Sequence, residues 1–313
     1  MEQILRLFPM RLRIQLQEAG IGVYMRETLE EIRLRVNQPI EFLTMEEDFF
    51  LKEKQWIKNP DRHCLSVSAE DLSQMSTLMS QYSLYAYEEE VRQGFLTVEG
   101  GHRIGVCGQV TQQGQKIQRI YPLLYMNIRL ARERKGCGQS VYEQLWNEEI
   151  PQNTLLLSAP GAGKTTLLRD LIRLFSNGDK KHKGKRVGLV DERSEIAGCL
   201  HGIPQNDVGI RTDVLDGCPK VEGMMLLVRS MSPEILAVDE IGGLNDFVAM
   251  QYAIRCGCKL LATVHAESME ELFHKPGWDK CREEELFTRY VMISKEKGIR
   301  NYQVKKKNGK DVL

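Results

Sequence analysis

No stretch of this 313-residue chain approaches the roughly 18 consecutive apolar residues that a membrane-spanning helix needs. Its first residues, Met1-Glu2-Gln3-Ile4-Leu5-Arg6, lack the apolar core of a secretory signal. A soluble, cytoplasmic protein is the expectation. Net charge is missing too: 43 Lys and Arg balance 43 Asp and Glu, so no global field draws the chain to nucleic acid or an anionic membrane. Aromatic residues make up only 7% and are scattered rather than grouped among lysines, whereas a groove that tracks single strands needs stacking platforms beside its cations. Eight cysteines include no CxxC pair, and Cys256-Gly257-Cys258 has the wrong spacing for a zinc knuckle. Free thiols in a reducing compartment follow from that. Repeats and low-complexity segments are absent. The basic runs at residues 180–186 and 305–307 read as a solvated loop and a tail.

The length exceeds one average domain, so two are expected, residues 1–136 and 137–313. In the first, Leu5, Phe8, Leu12 and Leu16 form a helical stripe that Gly20-Ile21-Gly22 stops. Residues 31–36 alternate with period two and turn through Asn37-Gln38-Pro39 into residues 40–43, a hairpin. A short strand at residues 65–68 precedes a helix from Ala69 to about Tyr87. A second hairpin joins residues 95–99 to 102–106 through Gly100-Gly101, and residues 128–132 close a small α+β domain. Beyond Gly136-Cys137-Gly138 the pattern changes. Residues 141–146 read as helical, and continuous apolar runs at residues 154–157, 187–190, 235–238, 260–264 and 290–293 alternate with helices. Such runs predict an α/β fold whose predominantly parallel sheet is buried on both faces, with residues 299–304 as an edge strand.

The first of those runs leads into Ser158-Ala159-Pro160-Gly161-Ala162-Gly163-Lys164-Thr165-Thr166, and a helix pattern opens at once with Leu167-Leu168-Arg169-Asp170. A glycine-rich turn between a strand and a helix points consecutive backbone N–H groups into one concavity, where the helix terminus adds partial positive charge. This is a phosphate cradle, a P-loop, with Lys164 reaching the outer phosphates and the Thr165 hydroxyl ligating Mg²⁺. Ser158 departs from the glycine that usually opens the loop. The predicted ligand is ATP with Mg²⁺.

Four apolar residues bring Asp239 and Glu240 to the end of another strand, the edge at which α/β sheets place ligands. Neighbouring strand positions point opposite ways, so the two acids divide the work. Asp239 is expected to hold Mg²⁺ through its water shell, and Glu240 to polarise the attacking water. Leu261-Ala262-Thr263-Val264-His265 ends a third strand in groups able to bond a γ-phosphate or lytic water; a merely packed histidine is the alternative. Asp191-Glu192-Arg193-Ser194-Glu195 ends a fourth, its acids facing either the pocket or solvent. An arginine should stabilise the transferring phosphoryl group. Arg211, Arg229 and Arg255 are candidates in the second domain, and Arg103, Arg129 and Arg132 in the first.

Several blocks carry a wider resemblance. Arg33-Leu34-Arg35, residues 88–97, Gly100-Gly101-His102-Arg103-Ile104-Gly105, residues 190–198 and residues 210–216 resemble the stage III sporulation protein AA family over nearly the whole chain. That family is similar to the ATPases of type II and type IV secretion and pilus systems. The resemblance implies a RecA-like ATPase core behind a smaller α+β domain, assembled as a homo-hexamer. It implies nucleotide between the two domains and favours Arg129 and Arg132 as contacts. It places Asp191-Glu192-Arg193 where those ATPases carry an acidic box, without the usual Glu-Asp-Pro order, and Thr263-Val264-His265-Ala266 at their histidine box. It also implies work at the channel between mother cell and forespore, through a membrane-embedded platform protein. A RecA-like core also drives translocation on nucleic acid, which the charge balance disfavours. A scaffold that binds ATP without turnover does not require Glu240.

Overall fold

Alternating burial along the first 132 residues folds them into a sheet with helices on its apolar side. The computed structural model describes residues 1–306 except 26, 27, 45, 81–89, 93, 115, 132, 297 and 298. The chain divides into two compact units, residues 1–132 and 133–313.

In the first unit, helices α1 (Glu2–Leu5), α2 (Met10–Glu18) and α3 (Ile21–Tyr24) precede strands β1 (Leu29–Arg35), β2 (Glu41–Thr44), β3 (Asp48–Lys52) and β4 (Gln55–Ile57). Helix α4 (Ala69–Met79) is followed by β5 (Phe95–Val98), β6 (His102–Gln113) and β7 (Lys116–Arg129). Among the described residues the strands form one antiparallel sheet in the order β4-β3-β2-β1-β7-β6-β5. The stripe Leu5, Phe8, Leu12 and Leu16 is buried with Ile32, Leu34, Phe42, Leu72, Ile104 and Ile128. Ser68 caps α4 reciprocally with Asp71: Asp71 N donates to Ser68 Oγ at 3.1 Å and Ser68 N to Asp71 Oδ2 at 2.8 Å.

Several local expectations change. Gly20, at φ 67°, ends α2, but the next residues wind another helical turn rather than stopping. Residues 65–68 form no strand; Ser66 and Val67 make isolated bridges to Pro39 and Val36. The expected helix from Ala69 is described as far as Met79, and its remainder toward Tyr87 includes residues outside those described. Strands β6 and β7 run well beyond the predicted hairpin. Their outer parts are largely exposed on both faces, so no period-two signal marks them.

In the second unit, α5 (Gln139–Tyr142) and a short ribbon of β8 (Trp146–Asn147) and β9 (Ile150–Pro151) lead into β10 (Thr154–Ser158) and α6 (Lys164–Asn177). Then come β11 (Val187–Asp191), β12 (Thr212–Asp216), α7 (Lys220–Ser230), β13 (Ile235–Val238), α8 (Leu244–Arg255) and β14 (Lys259–His265). Helices α9 (Met269–His274) and α10 (Trp278–Glu283) precede β15 (Arg289–Glu296) and β16 (Ile299–Lys306). The sheet order is β12-β11-β13-β14-β10-β15-β16, parallel except where β16 returns antiparallel to β15.

Every residue of β10, β11 and β13 is buried, as a sheet covered on both faces requires. Leu156, Leu189 and Ala237 pack on one side with Leu167, Leu171 and Phe175 of α6. Leu155, Leu157, Val190 and Val238 pack on the other with Met224 of α7 and Phe247 and Met250 of α8. Strand β12 escaped the sequence reading because it is an outer strand of partly exposed residues that includes Asp213 and Asp216. Parallel register aligns the strand ends: Ser158 pairs with His265, Val190 with Val238, and Asp191 with Asp216. The candidate chemistry therefore gathers along one edge of the sheet.

Buried Asp170 fastens the start of this unit to α6. Its Oδ2 accepts from Gly138 N at 2.8 Å, and its Oδ1 from Arg173 Nε and Nη2 at 2.9 and 2.7 Å. Asp170→Ala strands a buried N–H and a guanidinium, and should cost about 3 kcal/mol in urea unfolding of the full chain. An unchanged midpoint would show that these bonds hold nothing.

Candidate functional site

Strand β10 ends at Ser158, and the loop to α6 turns through Gly161 at φ 73° and Gly163 at φ 107°. Only glycine takes the second angle without strain, and a Cβ there would lie 2.4 Å from Arg300 Nε. Gly163 is also the N-cap of α6 and offers no side-chain acceptor, so the first-turn N–H groups remain available to an anion. Pro160 and Gly161 form the exposed crown of the loop, with Ala159 partly and Ala162 fully buried below. Thr166 O lies 3.8 Å from Cys137 Sγ, which donates to it. Ser158 uses its hydroxyl to donate to Ala159 O at 2.7 Å and to accept from Lys164 Nζ at 3.2 Å. The departure from glycine thus adds a tie at the loop entrance.

Lys164 is buried beneath the loop. Its ammonium group lies within bonding range of Ser158 O at 3.1 Å, Ala159 O at 3.4 Å and His265 Nδ1 at 2.8 Å. Burial lowers its pKa, against the opposing charges of Asp239 and Glu240. An ammonium has no acceptor to offer, so His265 Nδ1 is the unprotonated nitrogen. The Nε2–H of His265 then donates to Glu240 Oε1 at 2.8 Å. A continuous hydrogen-bonded chain thereby links the P-loop lysine to the second acid of β13.

The two acids occupy different environments. Asp239 is held by Thr263 Oγ1, which donates to its Oδ1, and its Oδ2 lies 3.4 Å from Thr165 Oγ1. Burial raises its pKa above the ordinary carboxylate range despite the threonine bond. Glu240 sits at φ 50°, its N–H donating to Thr263 Oγ1 at 2.9 Å and Asp239 Oδ1 at 3.1 Å. Its carbonyl accepts from Lys220 Nζ at 2.8 Å, and its Oε2 pairs with Arg193 Nη1 at 2.9 Å. Burial pushes the Glu240 pKa up, but the His265 hydrogen bond and the Arg193 charge outweigh it and hold the carboxylate below its usual range. Thr263 is the hydroxyl expected near the end of β14. Period two along that strand puts it on the same side as His265.

The acids that end β11 and follow it split into two roles. Asp191 is buried and turned into its own loop, accepting from the backbone N–H groups of Glu195, Ile196 and Ala197 at 2.9, 3.0 and 2.8 Å. Its pKa is raised to about 6 by burial, against those three donors. Glu192 pairs with Lys220 at 3.4 Å. Glu192, Arg193, Asp239 and Glu240 line one small pocket with Asp191 and Glu195.

The arginines disperse. Arg211 donates to Ser176 O at the end of α6, and Arg229 stacks over Tyr252 at 5.9 Å. Arg255 lies in the last turn of α8. In the first unit Arg103 covers the Phe95 ring, Arg129 on β7 has its Nε 3.5 Å from Glu31 Oε1, and Arg132 lies outside the described residues. The reading of the sequence passed over three cations at the site: Arg193, Lys220 and Arg300, whose Nε donates to Ala162 O at 3.0 Å. Arg193 stands in the acidic-box block, where nothing marks its charge for Glu240; Lys220 opens α7 and Arg300 lies on β16, with no local pattern that signals their contacts.

Thr165 and Asp239 fit the ion they were predicted to hold. Mg²⁺ typically takes one or two protein oxygens and completes its octahedron with water and phosphate. A hydroxyl facing a half-buried carboxylate supplies that minimum. Among the described residues no cluster of three or more His, Cys, Asp or Glu forms a self-sufficient metal site.

A family profile described as "Sporulation stage III, protein AA" matches residues 1–310. Stage III sporulation protein AA of Bacillus subtilis (strain 168) is 40% identical over 270 residues, covering 86% of this chain and 84% of that protein. Among solved structures, the pilus retraction motor PilT with bound ADP aligns at a TM-score of 0.60 and 13% identity, over 92% of this chain and 81% of that one. The Legionella pneumophila ATPase DotB aligns at 0.55 and 12%, over 94% of this chain and 79% of that one. At those identities the likeness is one of fold, a mostly parallel sheet preceded by an antiparallel one. The chain belongs to the sporulation stage III, protein AA family.

Proposed function

We propose that this chain is a Mg²⁺-dependent ATPase that works as a homo-hexameric motor in sporulation. The observation that carries the reading is the hydrogen-bonded chain from Lys164 through His265 to Glu240. It joins the group that binds phosphate to the group that activates water.

Lys164 spends its donors on carbonyls and an imidazole, all uncharged. Phosphate oxygens make stronger, charge-assisted bonds, so a bound triphosphate draws the ammonium away from His265. His265 keeps its bond to Glu240, which stays oriented and ionised. Glu240 then takes a proton from the water that attacks the γ-phosphate, and ADP and phosphate are released. Thr165 and Asp239 would hold Mg²⁺, whose charge would offset that developing on the phosphate. The backbone N–H groups at residues 161–166 cradle the phosphates. Arg129 and Arg132 are the proposed additional nucleotide contacts.

The family and the likeness to secretion and pilus motors support work at the channel between mother cell and forespore. Among the described residues no helix is long and apolar enough to cross a membrane. Force therefore passes through a membrane-embedded platform protein, with the motor on the cytoplasmic side. Zero net charge favours this over a motor on nucleic acid.

Lys164→Ala should lower phosphate release at least about 100-fold in a correctly folded chain. Undiminished ATPase activity would remove the P-loop assignment. Glu240→Gln should bind a fluorescent ATP analogue normally yet lose roughly 100-fold or more in kcat; normal turnover puts the base elsewhere. If the active site is completed in a ring, specific activity should rise with protein concentration. Single-stranded DNA should leave that rate flat, and a salt-sensitive stimulation would favour the nucleic-acid motor instead.

A further inference from the structure

We propose that Arg193 is a positioning residue for Glu240, fixing the carboxylate oxygen that His265 leaves free. The proposal rests on the reading of Glu240 as the water-activating base. The backbone of Glu240 is already secured: its N–H reaches Thr263 and Asp239, and its carbonyl takes Lys220. These bonds hold the left-handed conformation, which a side chain with a Cβ adopts only under such constraint. They do not fix the carboxylate, which still turns about three side-chain bonds. A single contact from His265 to Oε1 leaves it free to pivot; a second, from Arg193 to Oε2, defines its plane. Each oxygen keeps a further lone pair, so a water still has an acceptor.

The loop after β11 is built to present Arg193. Asp191 closes it by accepting three backbone N–H groups, Ser194 Oγ donates to Asp216 Oδ1 at 2.6 Å, and Glu192 is pinned by Lys220. Lys220 holds the Glu240 carbonyl as well, so the residue preceding Arg193 and the backbone of Glu240 meet at one ammonium. The Arg193 side chain is 62% exposed, and an ion pair so exposed adds little to stability. Its value lies in geometry, and its removal leaves the fold intact. The two acids of the box, Asp191 and Glu192, and its arginine thus act on the position of a carboxylate supplied by another strand.

The test is a double-mutant cycle on the full chain, read as steady-state kcat and KM with equilibrium binding of a fluorescent ATP analogue. Arg193→Ala should lower kcat roughly 100-fold, the scale of a misplaced catalytic group, with KM and nucleotide affinity within about threefold of wild type. Arg193→Lys, which keeps a donor, should recover part of that loss. In the Glu240→Gln background Arg193→Ala should cost nothing further, because the two act as a unit. Wild-type kcat in Arg193→Ala, lost nucleotide binding, or additive losses would each overturn the proposal. A wild-type chain without turnover, or full turnover in Glu240→Gln, would instead overturn the ATPase reading beneath it.

Discussion

A buried ammonium must be given acceptors, and the way Lys164 finds them organises the second unit. The lysine sits under the P-loop only because β10 and β14 run parallel in a register that sets Ser158 beside His265. The imidazole passes the contact on to Glu240, which hangs from the next strand along, β13. Three strand ends are therefore tied through side chains at the point where the sheet stops. Moving any one of these strands by a residue would point its side chain to the opposite face and break the chain. The apolar packing on both faces is what prevents such a slip.

Carboxylates of the same chemistry take different work here because their surroundings differ. Asp191 is enclosed by backbone donors and shapes a loop. Asp239 is half-buried beside two hydroxyls, a setting in which a cation compensates best. Glu240 lies nearer solvent between a histidine and an arginine, which keep it ionised. Position along the chain distinguishes Asp239 from Glu240 by one residue, yet the strand ends between them, and they meet different partners.

What was legible in the sequence follows the same physics. Continuous apolar runs marked the strands buried on both faces, and the glycine loop between a strand and a helix marked the phosphate cradle. Strand β12 and the outer halves of β6 and β7 were not legible, because partly exposed strands without a fixed core face carry no period. Arg193, Lys220 and Arg300 were invisible as site residues for another reason. Each reaches the site from an element distant in sequence, and a solvated arginine and a positioned one look alike until the sheet order is known.

Charge balance at the site bears on what it still needs. Lys164, Arg193, Lys220 and Arg300 stand against Asp191, Glu192, Glu195, Asp239 and Glu240, so the resting site holds no surplus of positive charge. A triphosphate brings more negative charge than one Mg²⁺ cancels. Lys164 can turn to it, but Arg193 and Lys220 are committed to Glu240 and Glu192, and Arg300 to the Ala162 carbonyl. The remaining charge calls for a cation from outside this cluster. Arg211, Arg229 and Arg169 are engaged elsewhere, with helix carbonyls, a tyrosine ring and loop carbonyls respectively. Arg129 and Arg132, proposed above as additional nucleotide contacts, are the candidates for that cation. The proposed dependence of turnover on assembly thus follows from how far the described cations around the P-loop are already paired.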